Sequence, residues 1–135
     1  MKGDYFVFLR VTMRNFIQGN SDIITINRGD TLNLTYFINA GTPVCPARYE
    51  LQGDDKLYFG VMYPNHYWEQ SLIKKVFTAE SPKTRFGDVI ITLNSEDTEY
   101  IVPGTYYYRI KLLRTFEDGT QEVTTVTDKT LFYVV

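Results

Sequence analysis

Cysteine occurs once in this chain, as Cys45, and histidine once, as His66. A lone cysteine excludes an intramolecular disulfide, and one residue of each kind excludes a zinc site built from Cys and His ligands within one chain. Folding has to rest on packing and hydrogen bonding. Long apolar runs are also lacking, since nothing approaches the roughly 20 residues that a membrane-spanning helix needs. The opening MKGDYFVFLRVTMRNF starts like a signal peptide, but Asp4, Arg10 and Arg14 interrupt it and no small-residue cleavage site follows. It reads as a strand, so synthesis in the cytoplasm without a signal peptide is expected. Nor is there an excess of one charge: 14 Lys and Arg stand against 16 Asp and Glu, a formal net charge of -2. The broad basic footprint of a nucleic-acid-binding protein is missing. No nucleic acid, no membrane span and no cofactor are therefore expected.

What is present is alternation. The 135 residues, 44% hydrophobic and 16% aromatic, suffice for one domain with a real core. Apolar residues recur at every second position, the period of half-buried strands. Tyr5, Val7, Leu9, Val11 and Met13 share one face of a first strand. Leu32, Leu34, Tyr36 and Ile38 share another, then Leu57, Phe59, Val61 and Tyr63, then Val89, Ile91 and Leu93. Tyr106, Tyr108, Ile110 and Leu112 alternate most clearly, with Tyr107, Arg109 and Lys111 opposite. SLIKKVFT, residues 71 to 78, reads as an edge strand guarded by lysines. The Pro- and Gly-bearing segment 40 to 54 reads as a loop or irregular edge. Asp118-Gly119 offers a hairpin turn, and two short strands, around 122 to 126 and 131 to 135, are expected to close the chain. Residues 65 to 72 have room for a single helical turn. About eight or nine strands with little helix predict an all-β, antiparallel β-sandwich over residues 1 to 135, with residues 1 to 21 as an extra N-terminal strand or arm.

The order of these elements resembles a known family. INRGDTLNL, KLYFGV, SLIKKVF, GDVIITLNSEDTEYIVPGTYYYRIKL and EDGTQEVTTVTDKTLFYVV follow one another as in the immunoglobulin-like domain of tailed-phage structural proteins, typified by the N-terminal domain of the baseplate upper protein. The resemblance spans roughly residues 22 to 135, and the order of the motifs carries it more than any one of them. It implies an immunoglobulin-like sandwich and a non-enzymatic virion protein that acts as an adaptor or decoration module in a tail, baseplate or capsid. Its partners would be other virion proteins. About twenty residues precede the family-like part, and they could cross to a neighbouring subunit as an added strand, giving a homo-oligomer, or pair within their own sheet.

Candidate contact residues lie in YPNHYWEQ, residues 63 to 70. Tyr63, Tyr67 and Trp68 offer flat apolar faces beside the hydrogen-bonding His66, which suits a protein partner or a glycan; the alternative is that Trp68 plugs the core. Tyr107, pointing away from Tyr106 and Tyr108, is a further candidate. Tyr106, just after Gly104, has a structural reading in which its hydroxyl ties to backbone at a sandwich corner. Arg28-Gly29-Asp30 spells an integrin-type tripeptide, yet strand patterns run straight into and out of it. Gly29 and Asp30 read as a tight corner instead.

Catalytic and metal chemistry have little to draw on. A nucleophile would have to use His66, no G-x-S-x-G is present, and the carboxylates of Asp54, Asp55, Asp88, Glu96, Asp97 and Glu99 fall in turn-like segments without the spacing of a calcium loop. Cys45, between Pro43 and Pro46, reads as a small apolar filler. The expected function is thus structural, with a carbohydrate-binding module for surface attachment as the alternative.

Overall fold

A computed structural model of the chain describes residues 18–41 and 46–135. Strands dominate: β1 (Gln18–Gly19), β2 (Ile24–Ile26), β3 (Leu32–Tyr36), β4 (Ile38–Gly41), β5 (Pro46–Tyr49), β6 (Lys56–Met62), β7 (Ile73–Thr78), β8 (Val89–Leu93), β9 (Gly104–Thr115) and β10 (Gln121–Val134). A 3-10 turn at Trp68–Gln70 and a short helix, α1 (Ser95–Thr98), complete the regular structure. The fold is all-β. Five strands form one sheet in the order β2-β10-β9-β6-β7, β3 pairs with β8, and β1-β4-β5 form a third sheet.

Alternation places the core. On β9, Tyr106, Tyr108, Ile110 and Leu112 are buried, and on β6 Leu57, Phe59 and Val61 are fully so. These inward faces meet Tyr36 of β3, Ile38 of β4 and Val89, Ile91 and Leu93 of β8 in a single apolar cluster. β7 is an edge strand, as its lysines suggested. Lys75 shares the inward parity of Ile73 and Phe77 and bonds Asp97 of α1 at 2.7 Å. An inward-pointing charge of this kind blunts an exposed sheet edge.

Buried hydroxyls and one carboxylate fasten the strands. The Tyr36 hydroxyl lies 2.5 Å from Thr127 Oγ1, whose own proton goes to the Asn20 carbonyl at 2.8 Å, so Tyr36 is the donor. Tyr108 donates to the Asp22 carbonyl at 2.5 Å. Asp55, only 1% exposed, accepts from the Tyr49 hydroxyl (2.5 Å) and the backbone N–H groups of Gln52 and Thr115 (both 3.1 Å).

The structure departs from the sequence reading in three places, the first being that Leu32, Leu34, Tyr36 and Ile38 divide between β3 and β4 of different sheets. Within 40 to 54 the chain forms the end of β4 and all of β5, paired antiparallel from Ile38↔Tyr49 to Gly41↔Pro46. Pro46 is the first residue of its strand, where a missing N–H interrupts no ladder. The two expected closing strands are one, β10, with register shifts between Thr125 and Thr127 and between Thr127 and Thr130. The corner at Gly29 and Asp30 is a tight turn, with Gly29 at φ 86°. It is closed by backbone, the Asp30 N–H donating to the Asn27 carbonyl at 3.0 Å, while the Gly29 N–H docks on Thr98 Oγ1 at 2.9 Å. The expectations for Cys45 and for residues 1 to 17 of the N-terminal arm lie outside the described residues. The last part of that arm, β1, pairs with β4 of its own chain.

Candidate functional site

The side of β6 and β9 that faces away from the core builds the best candidate surface. Outward residues alternate with the core set and stand opposite one another: Tyr58↔Lys111, Gly60↔Arg109 and Met62↔Tyr107. The 3-10 turn folds back onto this face. Its turn is capped locally, the Tyr67 N–H donating to Gln70 Oε1 at 2.9 Å and the Ser71 N–H to the Trp68 carbonyl at 3.0 Å. Tyr58, Met62, Tyr67, Trp68, Arg109 and Lys111 together line a small open pocket.

Trp68 rests on Gly60. A Cβ at position 60 would lie 3.0 Å from Trp68 Cε3 and 2.7 Å from Ser71 Oγ, so only glycine allows this approach. The Tyr58 ring meets Trp68 edge-on, with centroids 5.5 Å apart and planes at 79°. Such edge contacts favour one ring orientation. Lys74 Nζ stands 5.7 Å from the Trp68 centroid, within cation–π reach. Trp68 is therefore half-buried against the outside of the sheet and does not plug the core. Gly60→Ala is expected to push the indole off its seat at a cost of about 1–3 kcal/mol, the usual range for overpacking. Trp68 is the only tryptophan, so a red-shifted emission spectrum with a lowered denaturation midpoint checks this directly.

The predicted contact residues separate into two groups. Tyr67, exposed over 73% of its surface, and Trp68 face the pocket. Tyr63 and His66 turn the other way, toward the start of β9: Tyr63 packs on His66 (centroids 5.6 Å) and on Tyr106 (5.1 Å). His66 Nδ1 is buried with no hydrogen-bond partner among the described residues, and its carbonyl accepts from Arg109 Nη1 at 3.4 Å. Tyr107 is half-buried on the pocket side of β9 and carries Lys129 Nζ 4.9 Å from its ring centroid, so one of its surfaces already has an occupant. Tyr106 is buried, and its hydroxyl donates to the Val102 carbonyl. Gly104 opens β9 without a special backbone angle, and a Cβ there would meet ordinary contacts, so the corner depends on Tyr106 and not on that glycine.

The sequence reading missed Tyr58, Gly60, Met62, Arg109 and Lys111 as site residues. Their outward parity was visible, but the pairing of β6 with β9, residues about fifty positions apart, was not. Electrostatically the face is basic: Arg109 Nε bonds Asp128 Oδ1 at 3.0 Å, while Lys74, Lys111 and Lys129 add further positive charge around the rings. Among the described residues no three His, Cys, Asp or Glu side chains are placed to hold a metal ion, and no helix is long and apolar enough to cross a membrane. The arrangement can stack flat groups and pair with anions. No protein-family model matches the chain, and no curated protein matches it significantly.

Proposed function

We propose that this chain is a non-enzymatic virion structural protein of a tailed phage, an immunoglobulin-like adaptor or decoration module of a tail, baseplate or capsid that works through protein–protein contacts. The observation that carries the reading is the order of its motifs together with the corner they surround. Tyr106, near the start of β9, ties its hydroxyl to the Val102 backbone four residues upstream. This is the device found at the E–F corner of immunoglobulin-like sandwiches. Taking β9 as that F strand, β10, β6 and β7 fall where strands G, C and C′ would lie, and β3 with β8 where B and E would lie. The departure is the absence of a tryptophan on β6, where Phe59 occupies the core instead.

An adaptor in a symmetric particle needs exposed apolar side chains more than a deep pocket, because many copies multiply a modest contact. Phe86 and Tyr100, exposed over 70% and 87% of their surfaces, supply such side chains. The decisive measurement is a reconstruction of the particle. Density for this fold at a repeated position, with Tyr100 or Phe86 against a neighbouring subunit, is the expected result; purified particles that lack the chain by mass spectrometry would sink the proposal. The seat that Gly60 makes for Trp68, with Tyr67 beside it, favours a second reading, attachment to a glycan.

A further inference from the structure

Positive charge is concentrated around the aromatic pocket. Arg109 and Lys111 line it, and Lys74 Nζ stands 5.7 Å from the Trp68 ring centroid. Asp128 offsets one of these charges by bonding Arg109, and Glu69, on the same turn as Trp68, does not line the pocket. This local cationic excess contrasts with a chain whose formal net charge is -2.

We propose that the pocket binds an acidic saccharide, a pyranose chain bearing carboxylates, with Tyr67 and Trp68 against the sugar faces and Lys111 and Arg109 against a carboxylate. This rests on the glycan reading and adds the ligand's charge class. The position of the pocket favours a sugar over a peptide. It lies over β6 and β9, each paired on both sides within the sheet. No strand edge is open there, so the main-chain pairing that gives an extended peptide its affinity has nothing to bond. Recognition must come from rings and charged side chains. Rings offer flat apolar surface to the C–H faces of a pyranose, and Lys and Arg form charge-assisted bonds with carboxylates. Trp68 is already held by Gly60 and Tyr58, so little ordering cost remains for binding.

Trp68 emission reports on the pocket directly, because no other tryptophan contributes. The full chain would be titrated with an oligogalacturonate, its methyl-esterified neutral counterpart, a sialylated oligosaccharide and polyglutamate. Saturable emission change is expected with at least one of the two acidic sugars. For whichever sugar binds, Lys111→Gln should weaken binding about ten-fold, the effect of losing one charge-assisted bond, with far-ultraviolet circular dichroism unchanged. If the acid is uronic, its ester should bind about ten-fold more weakly as well. Equal affinity for oligogalacturonate and its ester would overturn the acidic class and leave the glycan reading standing. A polyglutamate response as strong as that of either acidic sugar would overturn the saccharide in favour of an acidic protein. No saturable response to any sugar would remove both the proposal and the glycan reading.

Discussion

Asp55→Ala is expected to cost about 3–5 kcal/mol of folding stability, because it removes three hydrogen bonds that part-buried donors make to one buried carboxylate. The carboxylate joins three parts of the chain: Tyr49 on β5, Gln52 in the following turn, and Thr115 at the end of β9. Burial, and then the neighbouring carboxylate, hold the Tyr49 phenol well above its ordinary value, so this hydroxyl keeps its proton and remains a donor. Against the roughly 5–15 kcal/mol that holds an ordinary domain together, such a loss removes a large share. Asp55→Asn separates the contributions. The Tyr49 hydroxyl and the Gln52 N–H both bond Oδ2, which an amide oxygen can replace, whereas the Thr115 N–H bonds Oδ1, where the amide nitrogen would oppose it. The asparagine variant should therefore lose about 1–3 kcal/mol, less than the alanine variant. Urea or guanidinium midpoints, with slopes compared, measure both, and equal losses for the two variants would refute this division.

The second large effect is alkaline. Tyr108 is pushed up to about 12, first by burial and then by the charge of Asp22, and burial raises Tyr36 as well. Both hydroxyls donate inside the fold, so both need their protons. Below pH 10, the ordinary tyrosine value, folded and unfolded chains are equally protonated, and the contribution of these groups is fully present. As the pH rises from there toward 12, the unfolded chain loses protons that the folded chain keeps. Stability should then fall by about 1.4 kcal/mol per pH unit for each of them, and Tyr49, raised in the same direction, adds to the decline. Denaturant midpoints from about pH 9 to 12, followed with phenolate absorbance, should show this decline, and Tyr108→Phe should remove about 1.4 kcal/mol per pH unit from its slope. A midpoint that stays flat across that range would contradict the assignment.

Period-two alternation identified most of the strands, because in a sheet with one buried face the parity of a residue decides its side. Tyr106, Tyr108, Ile110 and Leu112 show this best, and a tie from the Tyr106 hydroxyl to backbone was legible from its place after Pro103-Gly104. Segment 40 to 54 reads as a loop or irregular edge because proline is a strong sign against a strand interior, and β5 is the edge strand of its sheet, with Pro46 at its first residue. β10 was split in two because a bulge changes the parity: Val126 and Thr127 are adjacent and both buried. The candidate site was half legible. Tyr67 and Trp68 stand out in one loop by composition, but the seat at Gly60 and the cations at Arg109 and Lys111 come from strands that the sequence does not show to be neighbours.

The parallel pairing of β2 with β10, Ile24 to Ile26 against Phe132 to Val134, brings together residues from opposite ends of the described chain. β2 thereby covers the outer side of β10 along Phe132 to Val134, so the unpaired N–H and C=O groups that this stretch would otherwise present to another chain are satisfied within the same one.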